Sequence, residues 1–256
     1  MTKQDLEHKL LMGSELYIGS IPTYRITLGD MAAFPYGYSC CQQLIGLLCL
    51  REANLPSLPQ SGRTLSPWEF LTARLYAEAD SIAASSSESS LFLTQSLPSF
   101  LEMLFHQKTS FHYETSRFYI GAGKHSALLD GRNYPMLQQI LRERNCLSDS
   151  GLSDEEENPD SEMAKMLLDK RRRLREKVKR LKTNEAGESE LTMHDLISIF
   201  AEAAHMAPEY VYKNYDVYQF NNQFNRLKIM EDYQVNIKAL LAGAKSEDID
   251  WLSPIY

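Results

Sequence analysis

Most apolar positions in this chain recur at spacings of three and four, the period of an amphipathic helix. Met31, Phe34, Tyr38, Cys41, Leu44 and Leu48 mark one such face over residues 30–51, with a break or kink at 35–37 where Pro35 and Gly37 fall. Ser66-Pro67-Trp68-Glu69 reads as a capping box, with Pro67 at the first helical position and Leu65 and Phe70 as its hydrophobic staple. The helix it opens is expected to end by Ala84, ahead of the serine-rich residues 85–90. Further helices are expected over about 97–107, with Pro98 in the first turn, and from Asn133-Tyr134-Pro135 to about Asn145. Two stretches depart from this period. Residues 15–28 are rich in Tyr and Ile and interrupted by Gly19 and Pro22, which predicts one or two short strands. Residues 109–121 place aromatic and β-branched residues on both sides of Glu114-Thr115-Ser116, which predicts a β-hairpin.

The C-terminal part is patterned most sharply. Thr192 with Asp195, flanked by Leu191 and Leu196, caps a helix ending near Met206. A short helix over 208–213 follows. Asp216 and Gln219, stapled by Tyr215 and Phe220, then open a stripe of Phe220, Phe224, Leu227, Met230, Tyr233, Ile237 and Leu241 that runs to Gly243. At 1.5 Å per residue this helix is about 39 Å long. The two short helices before it cannot cover that length. Its uncovered part, around Met230, Tyr233, Ile237 and Leu240, is expected to meet a partner, with burial against the N-terminal region or self-association as the alternatives. The fold class read from this pattern is mainly α with a small β element (α+β), with a helical C-terminal unit and a long final helix.

Charge changes the picture in the middle of the chain. Residues 149–162 hold seven acidic residues and no basic one, which reads as a self-repelling linker. Residues 165–182 hold ten Lys and Arg, while Leu167, Leu174, Val178 and Leu181 still fall on one helical stripe. The expected organisation is therefore an α+β N-terminal domain over 1–148, an acidic linker over 149–162, a basic amphipathic helix over 163–183 and a helical domain over 184–256. The acidic and basic runs nearly cancel, and aromatic residues that would stack on bases are absent from 165–182. With a net charge of −7 for the whole chain, nucleic acid is disfavoured as a partner.

Candidate chemistry is sparse. Gly121-Ala122-Gly123-Lys124-His125-Ser126 looks like the end of a phosphate-binding loop. In that register Phe118 stands where the first glycine belongs and His125 where a Mg²⁺-binding hydroxyl belongs, so the string reads as a hairpin exit. The histidines include no pair four apart on a helix, Cys40, Cys41, Cys49 and Cys146 include no C-x-x-C, and no G-x-S-x-G is present. No catalytic, metal or cofactor residue is assigned, and the chain is read as non-enzymatic. Residues 192–228 have a helix-turn-helix outline, but the second helix would begin Asp216-Val217-Tyr218-Gln219-Phe220 without Arg or Lys. The first eleven residues carry Lys3, Asp5, Glu7 and Lys9 and do not form a signal peptide, and no apolar run approaches bilayer length. These features lead to an expectation of a reduced cytoplasm and no membrane partner.

Several strings resemble small tail-assembly proteins of bacteriophages that infect Gram-positive hosts. They are Leu191-Thr192-Met193-His194-Asp195-Leu196-Ile197, Asp216-Val217-Tyr218-Gln219-Phe220 with Phe224-Asn225-Arg226-Leu227, and Asn236-Ile237-Lys238-Ala239-Leu240-Leu241-Ala242-Gly243-Ala244. Tyr17-Ile18-Gly19, Ile21-Pro22 and Asn133-Tyr134-Pro135 are similar in kind. The resemblance implies a tail-assembly chaperone in the host cell cytoplasm. Such a protein binds a long helical tape-measure protein and keeps it soluble until tail-tube subunits, a further partner, assemble. A structural tail component of the virion and a nucleic-acid-binding regulator using residues 165–228 are the competing readings.

Overall fold

The structure, a computed structural model, describes residues 2–55, 65–84, 92–123, 126–147 and 192–241. The acidic linker expected at 149–162, the basic helix expected at 163–183, the serine tract 85–90 and Gly243 lie outside the described residues. By its contacts the chain forms two compact units. One combines Met1–Leu147 with Phe200–Tyr256, and the other is Ser148–Ile199. Within the second unit the described residues, 192–199, are the capped start of one helix. The two ends of the chain that composition assigns to separate domains, 1–148 and 184–256, thus contribute residues 1–147 and 200–256 to a single unit.

The fold is mainly α with two small antiparallel sheets. Helix α1 (Lys3–Leu11) leads into the hairpin of β1 (Leu16–Ile18) and β2 (Ile21–Thr23), in which Tyr17 faces Pro22. Helices α2 (Leu28–Ala32) and α3 (Tyr38–Leu48) occupy the stretch expected to be helical over 30–51, divided at the break expected at 35–37. The break is complete because Gly37 adopts φ +85°, a conformation only glycine takes without strain. Helix α4 (Pro67–Ala84) starts at the expected box, in which Glu69 N–H donates to Ser66 Oγ at 3.2 Å and Ser66 N–H to the Glu69 carboxylate at 2.9 Å.

Helix α5 (Phe92–Phe105) starts five residues before the position its sequence suggests, so Pro98 lies inside it. The Glu78 carboxylate on α4 accepts from the amides of Leu93 and Thr94, at 2.9 and 2.6 Å. A cap delivered from another helix leaves no local signature around residue 92. Strands β3 (Thr109–His112) and β4 (Arg117–Ile120) form the expected hairpin. A third strand, β5 (Ala127–Leu129), extends the sheet, with Phe118 opposite Leu129. Helix α6 (Tyr134–Arg144) follows. The remaining helices are α7 (Met193–Ala203), α8 (Pro208–Asn214) and α9 (Val217–Leu241).

Helix α5 runs through the core. Leu97, Phe100, Leu101, Leu104 and Phe105 are all fully buried, as their spacing of three and four requires. They share one cluster with Leu44 and Leu48 of α3, Leu71 and Leu75 of α4, Phe118 and Ile120 of β4, and Leu137 and Leu141 of α6. The β1–β2 hairpin is joined to α5 by the Tyr24 amide, which donates to the Leu104 carbonyl at 2.8 Å. This packing fixes α1 and α6, against which α9 begins.

Candidate functional site

The start of α9 is held by a buried polar clasp. The Leu28 amide donates to the Tyr215 carbonyl at 2.9 Å, and Thr27 and Asp216 form an isolated antiparallel bridge. Asp216 caps α9, its carboxylate accepting from the Gln219 amide at 2.8 Å. Arg144, at the end of α6, places Nη1 3.5 Å from Asp216 Oδ2 and donates through Nη2 to the Ser14 carbonyl at 2.8 Å. Arg25 donates to the Asn214 carbonyl at 3.1 Å and to Gln219 Oε1 at 3.3 Å. The Gln219 amide group reaches the Leu11 carbonyl at 2.8 Å. Gly13 lies under this cluster with φ +64°, and a Cβ there would stand 2.9 Å from Arg25 Cδ.

Arg144 and Asp216 retain only 4% and 3% of their side-chain exposure. Burial pushes the Asp216 carboxyl up, against the opposing pull of the Gln219 amide, Arg144 and Arg25. Burial likewise lowers the Arg144 guanidinium. Both directions say that desolvation outweighs mutual attraction here, the usual balance for a dry ion pair. The clasp fixes the C-terminal segment in place and offers no open reaction site.

Beyond the clasp, α9 becomes more exposed along its length. Phe220 is 1% exposed and packs edge-on to Phe200 at a centroid distance of 5.5 Å. Phe224, one turn on, is half-buried, stacked on Phe220 and covered by Lys228. The sequence-predicted partner residues lie further out. Met230 is 61% and Tyr233 43% exposed, while Ile237 and Leu240 are half-buried. Val235 and Leu241 are exposed as well, at 61% and 84%. Geometry accounts for this. Helix α1 spans about 13 Å and α9 about 37 Å, and the hydrogen bond from Gln219 to Leu11 joins α1 to the first turns of α9.

A second feature escapes the hydrophobic period of the sequence. Helices α1 and α6 and strand β1 enclose a groove of about 290 Å³, lined by Leu6, Leu16, Tyr17, Met136 and Ile140, with Lys9 on its α1 wall and Glu143 on its α6 wall. Tyr17 and Met136 remain 51% and 45% exposed. The groove depends on α1, which the hydrophobic period does not reveal because Leu10 is its one fully buried residue. The available signal was the box of Thr2 with Asp5, whose Asp5 amide donates to Thr2 Oγ1 at 3.1 Å.

The loop between β4 and β5 holds Gly121 and Gly123 at φ +90° and +78°, and Phe118 is fully buried in the core. Lys124 and His125 lie outside the described residues. Cys41 and Cys49 are pushed up to about 12 by burial, so neither thiol is a ready nucleophile. Among the described residues no group of three or more His, Cys, Asp or Glu is gathered to hold a metal ion. Among them too, no helix is long and apolar enough to cross a membrane.

Residues 182–256 match the family model described as the YomV second domain, a phage-type family. The matched stretch contains α7, α8 and α9, and it links the C-terminal part of the chain to phage proteins. No curated protein and no solved structure gives a significant match.

Proposed function

We propose that this is a phage-associated, non-enzymatic binding protein that uses the outer half of α9 to hold a helical tape-measure protein during tail assembly. The observation that carries this reading is the set of apolar side chains on α9 beyond the reach of α1, with Met230 and Tyr233 largely exposed. The family match over the same helix supports a phage setting. A tape measure is a long amphipathic chain, and a helix presenting anchors at spacings of three and four suits such a partner. The protein would work in the host cytoplasm and leave when tail-tube subunits polymerise, so its contact needs to be reversible.

Co-expression with a candidate tape-measure protein tests the reading. Tyr233→Asp with Ile237→Asp should abolish co-purification while the circular dichroism spectrum is kept. A folded double variant that still co-purifies would remove α9 as the site. Presence of the protein in purified virions would favour a structural tail component instead.

A further inference from the structure

The clasp at the start of α9 leaves polar atoms unsatisfied in a place that has room for one small molecule. Nε and Nη1 of Arg144 and Oδ2 of Asp216 are buried and make no hydrogen bond among the described residues. Nη1 and Oδ2 stand 3.5 Å apart, well beyond the roughly 2.7–2.9 Å of a charge-assisted hydrogen bond. Neither group is free to close that gap. Arg144 is held through Nη2 by the Ser14 carbonyl, and Asp216 is held through Oδ1 by the Gln219 amide, both at 2.8 Å. A shift that brought Nη1 onto Oδ2 would stretch one of these two bonds.

Arg144 and Asp216 also line a cavity of about 10 Å³. That is the size of a single water molecule and leaves no space for a hydrated ion or an organic ligand. Ile45, Leu104 and Val217 lie among its apolar walls, and Asn145 is its third polar residue. A buried water needs two to four polar partners, and this lining supplies them. We infer that the cavity holds one structural water that accepts from Arg144 Nη1 and donates to Asp216 Oδ2. An oxygen set to the side of the line between these atoms lies within about 2.8 Å of both. The pair is thus shut off from bulk solvent but keeps one captive molecule, which satisfies two of the three orphaned atoms. Such a bridge is nearly as favourable as a direct hydrogen bond. It also changes what filling the cavity would do. In an empty apolar void an added methylene gains contacts, whereas here it would expel the bridge and leave both charges unsatisfied.

A crystal structure of the full chain that reveals ordered solvent tests the inference. One water should appear within hydrogen-bond distance of both Nη1 and Oδ2. A direct Nη1–Oδ2 hydrogen bond with the cavity closed would overturn the inference, as would a cavity without density or one holding an ion. Val217→Ile gives a second reading in solution, because its extra methylene enters the cavity. The urea midpoint should fall in the otherwise wild-type chain. Added to the double variant Arg144→Met, Asp216→Asn, the same substitution should lower the midpoint distinctly less, since no charged pair remains to be bridged. A midpoint that Val217→Ile leaves unchanged or raises would overturn the inference. So would an equal loss in both backgrounds, which would mark the cost as steric crowding alone.

Discussion

At Asp216 one side chain serves as helix cap and as half of an ion pair, while its backbone forms a β-bridge, all within the buried interior. Removing Arg144 alone strands a buried carboxylate, and Arg144→Met should cost roughly 3–5 kcal/mol. Asp216→Asn keeps the capping oxygen but leaves the guanidinium without its counter-charge. The double variant should lose clearly less than the sum of the two, because the joint change leaves neither charge unpaired. Urea denaturation of all four proteins gives the coupling; simple additivity would show that the pair is not an energetic unit. The pH dependence follows from the direction of the Asp216 shift. Its folded carboxyl holds a proton more tightly than the ordinary 3.8, so its contribution to stability is full below 3.8 and is lost as pH rises through the raised folded value. Asp5 and Asp195, held down by their Thr caps, act in the opposite sense and lose their contribution as pH falls. The difference between wild type and Asp216→Asn therefore isolates the buried carboxyl. The advantage of wild type should be greatest at the acid end and shrink toward neutrality, which unfolding midpoints across that range would show.

Elements whose signals are local were legible in the sequence. The box at Ser66 and Glu69 starts α4, Asp216 and Gln219 start α9, and Gly37 divides α2 from α3. Elements specified from elsewhere were not. Helix α5 is capped by Glu78 from α4, and β5 gains its partners only from β4. The three-and-four spacing along α9 marks residues of one face, but periodicity carries no information about how far a neighbour extends. It could not reveal that burial ends near Phe220 while Phe224 is only half-covered. Phe220→Ala should accordingly cost roughly 3–5 kcal/mol, and Phe224→Ala distinctly less. Equal losses in thermal or chemical denaturation would mean that Phe224 is buried more deeply than its exposure indicates. Of the outer α9 residues that spacing singles out, Met230 and Tyr233 are exposed and Ile237 and Leu240 half-buried. The α1–β1–α6 groove escaped because it is made of three elements, one of which announces itself only by Thr2 and Asp5.

For the molecule as a whole, the C-terminal segment completes the unit that the first 147 residues begin. Without it, Arg144 loses Asp216, Arg25 loses Asn214 and Gln219, and the Leu28 amide loses the Tyr215 carbonyl. A fragment of residues 1–147 should therefore be less stable than the intact chain, with α1 and α2 the first parts to lose protection in hydrogen exchange. Equal protection in fragment and full chain would show that the N-terminal part stands on its own. The clasp also has a mechanical meaning. Helix α9 is a rod of about 37 Å fastened at one end, so each degree of tilt at Val217 carries Leu241 sideways by about 0.6 Å. The clasp residues thus set where the far tip points, and a change too small to see around Asp216 becomes a displacement of several ångströms at Leu241.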